Sequence, residues 1–281
     1  MKKRKRLLLL LGMLGLTVVL AACGTSPITS DSTGFFDRYV IYNFSQVIIW
    51  LSNLFGGNYG IGIIAFTLII RIILLPLTYY QTKSSRKMTD VQPQLKALQE
   101  KYSSKDAETK EKLQAETSKL YEEAGVNPAA GCLPLLIQMP VLIALYQSIN
   151  RTEVLSTGDF LWANLGTPDP YFILPVLAAL LTLATSKLSS MSQAGSNPTT
   201  AIMTYMMPIM ILFISISLPS AVSLYFVVSN GFSVAQTLLF NNPFKIKKER
   251  QEKEDAERQR EKDRQRALKL AQKTKRNVKK K

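Results

Sequence analysis

The stretch Ile61-Gly62-Ile63-Ile64-Ala65-Phe66-Thr67-Leu68-Ile69-Ile70-Arg71-Ile72-Ile73-Leu74-Leu75-Pro76-Leu77 decides the fold. With its flanks it is long enough to cross a bilayer, for which about 20 apolar residues suffice. One arginine stands near its middle. Snorkelling frees a long cationic side chain near the end of a span, but Arg71 lies about 15 Å from either end at 1.5 Å per residue. A guanidinium at that depth costs about 2.5 kcal/mol or more, so an ionisable residue there points to function.

Outward from this segment, apolar character and charge separate along the chain. The 281 residues are 47% apolar, yet the net charge is +15. Lys and Arg crowd into the first six residues, the 83–119 segment and the last forty, while apolar runs fill the middle. That segregation predicts an integral membrane protein. Histidine is absent, which removes the usual general base and the commonest metal ligand. Cys23 and Cys132 are too few and too differently placed for a disulfide framework or a metal site. Cys132, beside Gly131 and Pro134, reads as a packed, reduced thiol.

Lys2-Lys3-Arg4-Lys5-Arg6 followed by the apolar run Leu7 to Leu20 has the form of an export signal, predicted over 1–22. Leu20-Ala21-Ala22-Cys23 resembles the bacterial lipobox, in which the cysteine becomes the first residue of the mature chain and carries a diacylglycerol and an N-acyl group. An ordinary Ala-type cleavage beside a bystander cysteine, or an uncleaved anchor, is the alternative. Cleavage removes five of the positive charges, leaving a net charge near +10 in place of +15. The segment 23–58 then holds a flexible tether and, from Phe35 to Phe55, apolar residues at helical spacing (Phe36, Tyr39, Val40, Phe44, Val47, Ile48 and Leu51). Interleaved polar residues make it an interfacial amphipathic helix, ended by Gly56-Gly57-Asn58.

The fold class expected is all-α: a polytopic membrane protein with five transmembrane helices, at 59–80, 131–150, 171–187, 201–218 and 221–240. Pro219-Ser220 makes the last two a tight membrane hairpin. Lys and Arg are concentrated in 81–130 and 241–281, whereas the 151–170 loop has Arg151 alone. The positive-inside rule therefore puts 81–130, the 188–200 loop and the tail in the cytoplasm and the N-terminus outside, in agreement with an exported, lipid-bearing Cys23. Trp162 and Tyr171 mark the outer interface, where aromatic belts sit.

Within 81–130, Met88, Val91, Leu95, Leu98 and Tyr102 recur at heptad spacing, and Leu113, Thr117, Leu120, Tyr121 and Ala124 form a second stripe. Ser103-Ser104-Lys105-Asp106 turns the chain, with Asp106 or a nearby serine as N-cap, and Pro93 predicts a bend or a late start in the first helix. The result is an antiparallel helical hairpin, read either as a spacer or as a mobile docking arm. The tail from Phe244 to Lys281 has seventeen Lys/Arg against seven acids. It suits a solvated helix with i,i+4 pairs whose basic end fixes topology, meets anionic lipid or contacts RNA phosphates.

No Asp or Glu occurs in the predicted spans. Thr67, Gln138, Gln147, Ser148, Ser223, Tyr225, Ser229, Asn230 and Gln236 are polar there. Such residues commonly tie helices together. Beside an arginine without an acidic partner they predict a hydrated cavity, since polar groups in lipid need partners or water. Thr67, four residues before Arg71, shares its helix face. Arg71 and Thr67 are expected to face that cavity.

The motifs Thr67-Leu68-Ile69-Ile70-Arg71, Leu75-Pro76-Leu77, Asn127-Pro128-Ala129-Ala130-Gly131-Cys132-Leu133-Pro134, Gln138-Met139-Pro140, Asp169-Pro170-Tyr171-Phe172-Ile173-Leu174-Pro175 and Leu224-Tyr225-Phe226-Val227-Val228-Ser229-Asn230 resemble those of the YidC/Oxa membrane-protein insertase family over residues 35–243. The lipobox and five spans resemble its Gram-positive branch. The resemblance implies a hydrophilic groove within the membrane, open to cytoplasm and lipid, closed outside, with Arg71 at its centre. Thr67 and Tyr225 match groove or substrate-contact positions, and Phe226 stands where other members carry a second aromatic. Gln147 and Gln236 join the set on polarity. It implies as partners nascent membrane proteins, a ribosome through the basic tail, and the Sec translocon for some clients.

No nucleotide motif or nucleophile constellation appears, so a non-enzymatic protein without cofactor, metal or small-molecule substrate is expected. Two rival functions remain at this stage. A small anionic-solute transporter or channel explains the lone arginine, but the chain lacks a second intramembrane charge and paired broken helices. A passive ribosome-anchoring scaffold uses hairpin and tail alone.

Overall fold

The computed structural model describes residues 26–104, 106–127, 133–191, 198–240 and 242–278. The signal segment, Cys23 and Cys132 lie outside the described residues. Among the described residues the regular secondary structure is helical apart from one small β-hairpin. A π-helical turn, Asp37–Ile41, leads into α1 (Tyr42–Leu54), followed by α2 (Tyr59–Ile73), α3 (Leu75–Asp90), α4 (Gln92–Lys101), α5 (Ala107–Glu123) and α6 (Leu133–Arg151). A short helix α7 (Glu153–Ser156) and strands β1 (Asp159–Phe160) and β2 (Ala163–Asn164) form a loop before α8 (Ile173–Met191), α9 (Pro198–Ser217), α10 (Ser220–Phe240) and α11 (Pro243–Val278). The strands pair antiparallel with Asp159 opposite Asn164. We call the end of the bundle bearing this loop the loop end, and the opposite one the hairpin end.

α1 stops where Gly56 and Gly57 take left-handed φ angles of 71° and 82°, which glycine adopts without steric cost. The Gly57 N–H donates back to the Ser52 carbonyl at 2.8 Å. Asn58 then caps α2, its side chain accepting from the Ile61 N–H at 3.0 Å. The two helices meet at a bend of 117°. Gly62 lets them touch, since a Cβ there would lie 2.8 Å from the Ile48 carbonyl oxygen and overlap the Ser52 hydroxyl. Small residues at such crossings let backbones approach where lipid supplies no hydrophobic drive. The inward face of this region is Ile41, Ser45, Ile48, Leu51 and Ser52, whereas Tyr39 and Val47 are exposed. The apolar stripe expected from spacing is therefore rotated: Tyr39 and Val47 leave it, and Ser45 and Ser52 join the inward face.

The predicted first span, 59–80, is two helices. α2 ends at Ile73 and α3 begins at Leu75, with Leu74 between them at φ −81°, ψ −5°. Pro76 causes this: its nitrogen has no hydrogen to give the Ile72 carbonyl, and its ring crowds that carbonyl. α3 runs on past residue 81, so one helix carries the chain from the apolar segment into the predicted hairpin. Val91 breaks the path again and Pro93 sits in the first turn of α4, as the late start required. Asp106 caps α5, its carboxylate accepting from the Thr109 N–H at 2.7 Å. α4 and α5 pack against each other, with Leu95, Leu98, Tyr102, Leu113, Thr117 and Leu120 half-buried along the seam.

α8 and α10 are each long and apolar enough to cross a membrane, and the bent pair Asp37–Leu54 with Tyr59–Ile73 qualifies when taken together. α9 packs chiefly against α8 and barely against α10. The last two predicted spans are thus sequential neighbours joined at Leu218-Pro219 but are not the closely packed pair that the short link suggests. α8 lies between them, with small residues Ala178 and Thr182 buried on its inner face. α11 packs near α8, and its Arg250 donates to Asp90 of α3 at 3.2 Å.

Burial is one-sided along the bundle. On α2 the buried residues are Gly60, Gly62, Ile63, Phe66 and Thr67, with none beyond. On α8 they end at Thr182 and on α10 at Ser229. On α6 they are Ala144, Leu145, Ser148, Ile149 and Arg151, at its loop end. The core joins these residues to Leu155, Ala163 and Leu165 of the loop. The bundle is therefore packed shut at the loop end, while α2, α6, α8 and α10 splay toward the hairpin end, where burial is confined to scattered residues such as Gln81 of α3, Thr204 of α9 and Pro243 of α11.

Candidate functional site

Arg71 sits one turn past Thr67, where burial on α2 stops. Its guanidinium donates through Nη2 to the Ser229 hydroxyl of α10. Ser229 is itself the last buried residue of that helix. A hydroxyl supplies hydrogen bonding but no counter-charge, and the sequences of α2, α6, α8, α9 and α10 contain no Asp or Glu. The arginine is half-buried, at the floor of the splayed half.

α10 presents its polar residues in one stripe. Tyr225, Ser229, Ser233 and Gln236 follow at steps of four, four and three, which places them on one helix face. The Gln138 amide of α6 donates to the Tyr225 hydroxyl. Nearer the hairpin end, the Gln236 amide donates to the Thr78 hydroxyl of α3 at 2.8 Å. The stripe thus makes a polar seam against α6, α2 and α3 in turn, with Arg71 the one cation on it among the described residues of these helices.

The predicted residues divide. Arg71 and Gln236 lie half-buried on this seam, whereas Tyr225, on the same stripe, is buried in the core at 3% exposure. Thr67 does not open on it: the side chain has no exposure and donates to the Ile63 carbonyl at 2.7 Å, so the expectation that it faces a cavity beside Arg71 is corrected. Its shared face with Arg71 is real, but the bundle has closed by that level. Phe226 is half-buried against the core, its ring tilted 60° to that of Tyr225 with centroids 5.8 Å apart. Gln147 is half-buried on α6, about 14 Å nearer the loop end than Gln138 at 1.5 Å per residue. Arg71 also differs from expectation in having a protein partner. Ser229, Gln138 and Thr78 are the residues sequence reasoning underweighted, and the signal was available in the spacing of Tyr225, Ser229, Ser233 and Gln236.

The loop end is sealed by polar contacts. The buried Asp169 accepts from Trp162 Nε1 at 3.0 Å, from the Tyr171 N–H at 3.1 Å and from the Leu174 N–H at 2.7 Å, capping α8. The Ser220 N–H and hydroxyl both donate to the Thr167 carbonyl at 2.7 Å, tying the start of α10 to the loop. Arg151, at the end of α6, grips Asp37 through two bonds of 3.0 and 2.6 Å and the Ser26 carbonyl at 2.7 Å. Such a bidentate, charge-assisted pair fixes orientation as well as distance. Gly60 admits the Phe160 ring against α2, since a Cβ there would overlap it.

Comparison with known proteins agrees with this architecture. The family model described as 60Kd inner membrane protein matches residues 50–250. The chain is 58% identical over 281 residues, covering 100% of both sequences, to a protein of Enterococcus faecalis named membrane protein insertase YidC. It is 55% identical over 257 residues, 89% of this chain and 90% of the other, to membrane protein insertase YidC 2 of Listeria innocua. It is 48% identical over 242 residues to membrane protein insertase MisCA of Bacillus subtilis, covering 85% and 93%. A crystal structure of an active YidC insertase with its first transmembrane domain resolved superposes with a TM-score of 0.58 at 34% identity. That match covers 73% of this chain, which spans about half the length of that one (47%). Motifs, helical bundle and relatives converge, and the chain belongs to the 60Kd inner membrane protein family, the YidC/Oxa family that its motifs resemble.

Proposed function

We propose that this chain is an insertase of the bacterial cytoplasmic membrane, which takes nascent membrane proteins into the splayed half of the bundle and releases their apolar spans into lipid. One observation carries the mechanism: on α2 and α10 burial stops at the level of Arg71, leaving a half-buried cation held by a hydroxyl alone among the described residues. A polar client segment entering from the hairpin end meets Gln236, Ser233 and Arg71, which lowers the cost of taking its polar groups out of water. Arginine stays charged at any accessible pH, so a client carboxylate can displace the Ser229 hydroxyl without a proton cycle. The packed loop end blocks passage straight through. The client's apolar part leaves sideways into lipid, and the membrane potential assists outward movement of negative charge. No covalent bond is made or broken.

The same reading orients the chain with its loop end outside and hairpin and tail in the cytoplasm, in five spans. Cys23 carries the lipid anchor, and α1 lies in the outer interface. The basic tail brings ribosomes to the hairpin end, and the chain works alone or with the Sec translocon. Support comes from the Lys/Arg distribution and the lipobox spacing.

The test is insertion of a single-span client with an acidic outer segment into proteoliposomes. Arg71→Ala is expected to abolish most insertion and Arg71→Lys to retain part of it. Undiminished insertion by Arg71→Ala protein overturns the role of the cation.

A further inference from the structure

We infer that the cleft between the start of α3 and the end of α10 is a binding site for one anionic phospholipid of the leaflet at the hairpin end. It adjoins the client path along the seam, with Gln236 common to both. The cleft has a volume of about 330 Å³ and is lined by Leu75, Pro76, Tyr79, Tyr80, Gln236 and Phe240. That volume is at the lower end of the range that accommodates a small organic ligand or part of a chain. Five of its six lining residues are apolar or aromatic, and the one amide, Gln236, is turned to Thr78. The wall therefore suits an acyl chain.

What specifies the headgroup is the continuation of the same wall. On α3, Leu75, Tyr79 and Lys83 follow at steps of four, and Pro76, Tyr80, Lys83 and Lys87 at steps of four, three and four, so the lysines share the face that lines the cleft. Lys83 lies about 12 Å along the helix from Leu75 at 1.5 Å per residue. The order along this face is apolar, then tyrosine, then lysine, which follows the order of acyl chain, interface and headgroup in one leaflet. Lys83 and Lys87 are exposed and form no ion pair with a described acid. The one acid on α3, Asp90, is engaged by Arg250 of the tail. The rim is thus left with uncompensated positive charge beside an apolar slot. A phosphodiester carrying net negative charge fits both parts, whereas a zwitterionic lipid leaves the second lysine unanswered. The tail, by occupying Asp90, keeps the rim cationic.

The inference rests on the chain spanning a membrane and not on insertase activity, so it is tested without any client. Full-length protein is reconstituted in vesicles of phosphatidylcholine doped with phosphatidylglycerol or phosphatidylcholine bearing the same acyl-terminal diazirine. Irradiation is expected to label residues 75–80 and 236–240 with the phosphatidylglycerol probe about 25-fold more than with the phosphatidylcholine probe. Each basic residue near an anionic headgroup contributes about fivefold, so Lys83→Gln with Lys87→Gln should bring the two probes to equal labelling. Leu75→Trp, which fills the slot, should reduce labelling by both. Equal labelling of wild-type protein by both probes overturns the anionic specificity, and labelling elsewhere than these segments overturns the site. Because the lysines are exposed, their replacement leaves the fold intact, and an unchanged melting temperature of the Lys83→Gln, Lys87→Gln protein in detergent serves as the check on folding.

Discussion

Replacing Asp37 with alanine should loosen the whole N-terminal layer. Its carboxylate holds the Arg151 guanidinium through two bonds, with the arginine side chain 5% exposed and the aspartate 18%. Breaking a buried pair by removing one partner costs about 3–5 kcal/mol, because the remaining charge is left uncompensated. Two features set the expectation at the lower figure. Water reaches the aspartate in part, and Arg151 retains the Ser26 carbonyl at 2.7 Å. A cost of about 3 kcal/mol corresponds to a roughly 150-fold rise in the equilibrium for local opening. The layer at risk is the π-helical turn and α1, which also depend on the Ser148 hydroxyl donating to the Ile41 carbonyl at 3.1 Å and on the Ser45–Thr152 hydroxyl contact at 2.9 Å. Hydrogen exchange of the full chain in detergent micelles should show faster exchange across Tyr42–Leu54, while α8 and α10 are unchanged. Asp37→Leu combined with Arg151→Met should recover most of the protection, since an apolar replacement of a buried pair is often neutral. An increase of less than threefold for Asp37→Ala, or a double variant no better than the single, refutes the reasoning.

Asp169→Ala should destabilise the loop end by about 1–3 kcal/mol by leaving buried donors without an acceptor; in a Trp50→Phe background, the emission of Trp162 reports the loss of its bond. Gly62→Val should cost about 1–3 kcal/mol through overpacking between α1 and α2 and lower the melting temperature in detergent, whereas an unchanged melt refutes the close crossing. The Asp106 carboxyl is pulled down to about 2 from 3.8, first by the Ser104 hydroxyl and then by the Thr109 backbone N–H. A depressed carboxyl pKa stabilises the fold fully above the ordinary value and ceases to as pH falls through the folded one. The start of α5 should therefore fray between about pH 4 and pH 2, seen as faster amide exchange at Thr109, and Asp106→Asn should remove that pH dependence.

The hairpin was the most legible part of the fold. Asp106 as cap, Pro93 as a late start and the second stripe are local features, each decided within a few residues, and the structure places them as their spacing required; the first stripe is split at Val91, which leaves Met88 on α3. Arg71 was legible as an anomaly for a similar reason: charge in an apolar run is visible without any partner. Its setting was not. Ser229 is 158 residues away, and nothing local says that α10 rather than α6 meets it. Thr67 illustrates the limit more sharply. Helical geometry put it on the face of Arg71, but whether that face is open or shut one turn earlier depends on how tightly α1, α6 and α10 close at the loop end. The Asp37–Arg151 pair, 114 residues apart, was invisible for the same reason.

From its sequence alone, this protein was determined to be helical, membrane-embedded and built around one cation in the middle of an apolar segment. Those properties follow from hydrophobic run length, cap chemistry and the free energy of charge in lipid, which act residue by residue. Only the tertiary structure decided which hydroxyl holds Arg71, where the first span breaks, that α8 rather than α10 carries α9, and that burial ends at the arginine. Those depend on which helix faces meet, and packing between distant segments is set by the shapes of both partners at once.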